Sequence, residues 1–141
     1  MRILLLGSPK FFPLYKQTLE TAGHIIVALE ESPDLGVIAY YGKIIKPEIL
    51  KIPKHGFINI HPSLLPKYRG PSPVRSAILA GDKVTGVTIH ITIREVDAGD
   101  ILAQKEFKIA PEDNYESLEE KLFIEGSKML PDVIDKWISQ Q

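Results

Sequence analysis

The sequence predicts an α/β domain built on a mixed sheet, and three observations carry that expectation. Residues 2–7, RILLLG, form a continuous apolar run closed by glycine, the pattern of a strand buried on both faces of a parallel sheet. Residues 85–93, TGVTIHITI, are rich in β-branched side chains and alternate in polarity, which marks a second kind of strand. Leu118, Leu122, Met129, Val133 and Trp137 recur at helical spacing and form the stripe that a long C-terminal helix would bury. Strand, helix and strand come early, and antiparallel-looking strands and a long helix come late, so both sheet senses are expected in one 141-residue domain.

The remaining elements follow in chain order. Residues 13–23, PLYKQTLETAG, place Leu14, Gln17, Thr18, Leu19 and Ala22 in a helical pattern that Gly23 can stop. HIIVALE (24–30) and LGVIAYYG (35–42) read as strands, yet only ESPD separates them, too little for a helical crossover between parallel neighbours. Either the two are one irregular segment or the strand order is unusual. A short helix over 46–53 has Pro47 in its first turn, an allowed place for proline. GFINIHP (56–62) is a strand with Phe57, Asn59 and His61 on one face and Ile58 and Ile60 on the other. A helix over 72–82 closes at Gly81, and 100–109 is a partner strand for 85–93. Asp113 or Asn114 is positioned to cap the last helix, with Glu116 three residues after Asp113. Pro131 should kink or split that helix.

Bulk chemistry narrows the partners. The chain has 17 basic and 18 acidic residues and a net charge of −1, so charge predicts neither a nucleic acid nor an anionic membrane as partner. It has no cysteine, which removes disulfides and thiolate metal sites and fits a reducing compartment. The apolar run at the N-terminus is too short for a signal peptide, and no segment is long enough to span a bilayer. A cytoplasmic protein is the default expectation, with no metal.

The residues able to do chemistry cluster around the strand at 56–62. Asn59 and His61 lie on one of its faces, near the strand end where open α/β sheets bind ligands. An amide donor beside an imidazole suits an oxyanion on a carbonyl carbon under attack, and the imidazole can also move a proton near neutral pH. The same pair could instead cap the next turn. The loop that follows carries Pro62, Pro66, Pro71 and Pro73, which would pre-order a site wall or serve as an ordinary connector. Asp97 and Asp100 stand in EVDAGDI; an aspartate here could reach His61 and favour its charged form, or bond its own turn. His90, on the preceding strand, could be a satisfied core histidine. LGSPK (6–10) places a glycine loop after the first strand, where anions often bind, but without the other glycines of a dinucleotide motif.

INIHPSLLPKYRG together with GVTIHITIREVDAGDIL resembles the signature of the folate-dependent formyltransferases, and AYYGKIIKPEIL adds a match closest to the methionyl-tRNA branch. The resemblance covers residues 35 to about 110, and more loosely the first thirty. It implies a shortened formyltransferase fold with a mostly parallel, Rossmann-like sheet flanked by helices. It also implies transfer of a formyl group from 10-formyltetrahydrofolate to a small-molecule amine, an acceptor that in this family is often nucleotide- or phosphate-linked. Asn59, His61 and Asp97 match the family's catalytic residues, and His90 a supporting histidine of some branches. Tyr41, Gly42, Lys43, Ile44 and Ile45 would contact the pteridine, with Ile93 and Val96 on the opposite wall. Gly7, Ser8, Pro9, Lys10 and Ser63 would face the acceptor, and Leu65–Pro66 would be cis.

Two departures from the family shape the expectation. A strand–helix section is missing where only ESPD remains, and the further domain of the tRNA enzymes is absent from this sequence. With the near-neutral charge, this points away from tRNA toward a smaller acceptor, and a shortened sheet would be covered on its apolar surface by a homo-oligomeric partner. A formylfolate hydrolase using the same three residues, and a folate-binding module without turnover, are the competing readings.

Overall fold

A computed structural model describes residues 1–141. The chain opens with β1 (Arg2–Gly7), α1 (Phe12–Thr21) and β2 (Ile25–Ile26). It continues through β3 (Leu35–Ala39), α2 (Pro47–Leu50), β4 (Phe57–His61) and α3 (Pro73–Leu79). β5 (Val84–Ile91), β6 (Ile101–Lys108) and α4 (Tyr115–Ser139) complete it. All six strands form one sheet in the order β2-β1-β3-β4-β5-β6. The first four strands of that order are mutually parallel, and β5 and β6 pair antiparallel. This is the mixed, mostly parallel α/β sheet with a long C-terminal helix that the sequence predicts.

The short connection between the second and third strands resolves through the order of the sheet. β2 and β3 are not neighbours; both pair with β1, one on each side. The strand expected over 24–30 shrinks to two residues, paired with Arg2 and Ile3, and β3 begins opposite Ile3. The chain therefore climbs almost no distance along the sheet before crossing β1, and no helix is needed to bring it back. Arg2 holds the crossing segment, its guanidinium donating to the Glu31 carbonyl and its amide to Asp34 Oδ2 at 2.8 Å.

α1 and α4 cover one face of the sheet. Ile3 and Leu5 of β1, Ile58 and Ile60 of β4, and Val87 and Ile89 of β5 meet Tyr15, Leu19, Leu118, Leu122 and Phe123 there. The opposite face holds a smaller cluster of Leu4, Ile38 and Phe57 under α2. α4 corrects two expectations. Asn114 is its cap, accepting from the Ser117 amide at 2.9 Å while Ser117 Oγ accepts from the Asn114 amide, so Ser117 rather than Glu116 closes the box. The helix also runs from Tyr115 to Ser139 through Pro131 without splitting. Leu130, Val133 and Ile134 are buried beside the proline, and each such side chain contributes about 1.5–3 kcal/mol, against about 3 kcal/mol for an interior proline. Gly126 lets α4 approach closely: a Cβ there would stand 2.7 Å from Ile60 Cγ2 and 2.9 Å from the Tyr15 hydroxyl. No helix is long and apolar enough to cross a membrane.

Candidate active site

β4 places its polar pair by alternation. Ile58 and Ile60 anchor one face in the core under α4, so Asn59 and His61 must project from the other. Asn59 is half-buried and His61 is 5% exposed. In the antiparallel register Asn59 stands directly opposite His90 of β5, so these two side chains share the same face. The rings of His61 and His90 lie 6.4 Å apart, centre to centre.

The loop after β5 sends Asp97 between those rings. Its Oδ2 lies 3.5 Å from His61 Nδ1 and its Oδ1 lies 3.5 Å from His90 Nε2. Asp97 adopts a left-handed backbone (φ 52°), a conformation that costs a non-glycine residue and is retained where surrounding structure imposes it. Gly99 allows the loop to return, because a Cβ at that position would fall 1.7 Å from the Ile91 carbonyl oxygen.

Three consecutive loop residues fasten the cluster. The Tyr68 carbonyl accepts from His61 Nε2 at 2.9 Å. The Arg69 guanidinium donates twice to the Val96 carbonyl, at 3.1 and 2.7 Å. The Gly70 amide donates to Asp97 Oδ2 at 2.8 Å. Tyr68, itself left-handed at φ 57°, is tied at its far end by a 2.6 Å bond from its hydroxyl to Asp82, which also pairs with Lys67 at 3.1 Å. The proline-rich loop is thus a wall bonded to both His61 and Asp97. Its Leu65–Pro66 bond is cis.

The hydrogen bonds fix the tautomers. A carbonyl can only accept, so His61 carries hydrogen on Nε2, and His90, whose Nδ1 lies 3.0 Å from the Ile91 carbonyl, carries it on Nδ1. In the neutral rings, the nitrogens facing Asp97 are therefore bare. The 3.5 Å separations exceed the roughly 2.7–2.9 Å of a charge-assisted bond. Burial pushes His61 below its ordinary range, against the opposing pull of Asp97 and the Tyr68 carbonyl. For Asp97, burial alone would raise its affinity for a proton; His90, the Gly70 amide and His61 outweigh it and hold the carboxyl below its usual range. Burial thus favours a neutral His61 ring beside an ionised Asp97, a pair able to accept a proton between Nδ1 and Oδ2.

Two cavities meet at these residues. The larger, about 450 Å³, is lined by Asn59, His61, Asp97, Tyr40, Pro71 and Glu119 among others. The smaller, about 120 Å³, lies between Lys43–Ile45 and Thr92–Val96 and shares Asn59 and Asp97 with the first. Tyr41 and Gly42 line the larger cavity, Ile45, Ile93 and His90 the smaller, and Lys43, Ile44 and Val96 both. Gly7, Ser8, Pro9 and Lys10 are not in the wall of either cavity; Lys10 reaches toward the larger through Glu119, at 4.0 Å. Ser63 is fully buried and its hydroxyl donates to the Lys67 carbonyl at 2.6 Å, which gives it a role inside the loop rather than on the cavity surface. No group of three or more His, Cys, Asp or Glu side chains is arranged to hold a metal.

Sequence reasoning missed Tyr40, Tyr68, Gly70, Tyr115 and Glu119. Glu119 had a readable signal: it is charged, yet it follows Leu118 and lies one helical step before Leu122 and Phe123, on the inward side of α4. Tyr68 and Gly70 act through backbone atoms, which no side-chain pattern reveals.

Comparison with known proteins agrees with this architecture. Residues 14–134 match the family described as Formyl transferase. The chain is 50% identical over 105 residues to the methionyl-tRNA formyltransferase of Thermodesulfovibrio yellowstonii, covering 74% of this chain and 34% of that one. It spans between one third and one half of the length of the first such curated relatives. The crystal structure of phosphoribosylglycinamide formyltransferase from Bacillus halodurans superposes with a TM-score of 0.80 at 25% identity, covering 99% of this chain and 96% of that one. The formyltransferase PseJ of Anoxybacillus kamchatkensis, in complex with UDP-4,6-dideoxy-4-formamido-L-AltNAc and tetrahydrofolate, matches with a TM-score of 0.73 at 29% identity, over 94% of this chain and 78% of that one. This chain belongs to the formyl transferase family.

Proposed function

We propose that the chain transfers a formyl group from 10-formyltetrahydrofolate to a small amine, at Asn59, His61 and Asp97. The observation that carries this reading is the pair of cavities meeting at Asn59 and Asp97. A transfer between two molecules needs two binding spaces that touch at the reacting carbon, whereas hydrolysis needs one. The smaller space suits the donor's flat ring, because Ile93 and Val96 present exposed apolar surface on one side and Ile44, 87% exposed, on the other. The bound tetrahydrofolate of PseJ supports the same donor chemistry. The larger space remains for the acceptor.

The residues divide the work by what they have free. The side-chain amide of Asn59 faces the cavities and takes no part in the bonds that tie its neighbours, so it can donate to oxygen as the amine attacks the formyl carbon and the carbonyl electrons move onto that oxygen. The amine nitrogen must then shed a proton. The gap between His61 Nδ1 and Asp97 Oδ2 accepts it, directly or through water, and the resulting imidazolium is stabilised by the carboxylate. Collapse of the oxyanion breaks the bond to the folate nitrogen, which leaves with a proton, giving tetrahydrofolate and the formamide. For His61 Nε2 to serve the same oxyanion it must leave the Tyr68 carbonyl. His90 supports Asp97 from the other side.

The test is incubation of the purified protein with 10-formyltetrahydrofolate and a panel of amines, following tetrahydrofolate release by absorbance and formylated amine by mass spectrometry. Formamide formation that depends on the amine is expected. Release of tetrahydrofolate without an amine would identify a hydrolase, and tight binding without turnover would identify a binding module.

A further inference from the structure

Glu119 is a buried carboxylate that the chemistry above does not use. It sits on the second turn of α4, 5% exposed, between the fully buried Leu118 and Leu122. A carboxylate withdrawn this far from water needs donors, and the protein supplies few. Lys10 Nζ stands 4.0 Å away, at the outer limit of an ion pair, and is itself half-exposed. The Tyr115 hydroxyl is a further donor: Glu119, and after it the Tyr40 hydroxyl 3.1 Å away, hold its proton firmly. An ionised carboxylate offers about four acceptor positions, so this one has capacity to spare. It faces the 450 Å³ cavity that also holds Asn59 and His61, where the rings of Tyr40, Tyr115 and Phe123 form an aromatic wall.

We propose that Glu119 is a specificity-determining residue of the acceptor space, taking hydrogen bonds from hydroxyl groups of a hydroxylated amine. The proposal rests on the transferase reading above. Charge selects hydroxyls over the alternatives. An acidic group would meet the carboxylate as a like charge. A second cation is less needed, since Lys10 lies nearby and the Arg75 guanidinium sits 4.8 Å from the centre of the Tyr115 ring. A neutral O–H donor gains a charge-assisted bond without adding charge, and the aromatic rings beside it can carry the carbon face of the same molecule. The competing role is structural, with Glu119 acting only as a tether for Lys10.

Calorimetric titration of D-glucosamine and of cyclohexylamine, a six-membered ring with an amine and no hydroxyls, separates the two roles. The wild-type protein should bind glucosamine at least tenfold more tightly, and Glu119→Gln should reduce glucosamine affinity by roughly tenfold while leaving cyclohexylamine within about twofold. Glu119→Asp, which keeps the charge but withdraws it by one methylene, provides the same comparison if the Gln variant does not fold. Equal affinity for the two amines, no binding of glucosamine, or an unchanged preference in the variants would overturn the proposal. Tetrahydrofolate titrated into the same samples isolates the underlying reading: its binding should be unaffected by either substitution. Loss of folate binding by the wild type would defeat the transferase itself, whatever the amines do.

Discussion

The two ends of the large cavity are held in opposite ways. Around Asp97 each group has a fixed partner: His61 on the Tyr68 carbonyl, His90 on the Ile91 carbonyl, and Asp97 on the Gly70 amide at 2.8 Å. Around Glu119 the contacts are side chain to side chain, and the ion pair to a half-exposed Lys10 is 4.0 Å long. Backbone partners cannot change rotamer, whereas lysine and tyrosine side chains can. The contrast sets a cluster around Asp97 held by main-chain bonds against one around Glu119 held by adaptable side chains; under the proposed function, the first would carry the chemistry and the second the recognition.

Several substitutions test that contrast. The largest effect belongs to Asp97→Asn, which keeps the shape but removes the charge that stabilises an imidazolium. Single-turnover formyl transfer should fall by about 10²–10⁴-fold, with tetrahydrofolate binding retained; a fall under tenfold would place the proton elsewhere.

Gly99→Ala comes next, because its Cβ would meet the Ile91 carbonyl and displace the loop that aims Asp97. Overpacking of this kind costs about 1–3 kcal/mol, and activity should drop further than denaturant stability indicates. Equal losses would mean the loop is only structural.

His61 should leave a pH signature. Its folded-state affinity for protons lies below the ordinary value because of burial, so the unfolded chain binds more protons and stability rises with pH. The contribution is complete above about pH 6.5 and is lost as pH falls through that value toward the lower folded pKa. His61→Asn should flatten this part of the urea-stability profile, and a profile of unchanged slope would refute the assignment. Activity in the wild type should also climb with pH on a midpoint below about 6.5, since the neutral ring accepts the proton.

Tyr68→Phe is the smallest perturbation, removing the bond to Asp82 but keeping the carbonyl that holds His61. Turnover should decline less than tenfold. A larger decline would show that the main-chain clamp depends on its outer anchor.

Much of this molecule was readable beforehand, for physical reasons that differ by residue. Alternation along FINIH put Asn59 and His61 on one face, and a period of two leaves no other choice. Asp97 was visible only as one of two candidate turn aspartates until the family resemblance selected it. The extent of β2 was not readable, because IIVAL is apolar throughout, yet its pairing ends at Ile26 opposite Ile3 although β1 runs on to Gly7. Pro131 misled for a related reason: local propensity argues for a break, and burial along both sides of the proline overrides it.

Gly126 bears on the proposed site although it touches neither Asn59 nor His61. By admitting α4 to within a missing methyl group of Ile60, it sets a rigid backing directly behind the residue between Asn59 and His61. A strand backed this closely has little room to bow away from its front, which favours keeping Asn59 and His61 where they stand. Stiffness at the active site is thus established from the reverse side of the sheet, by an absent side chain.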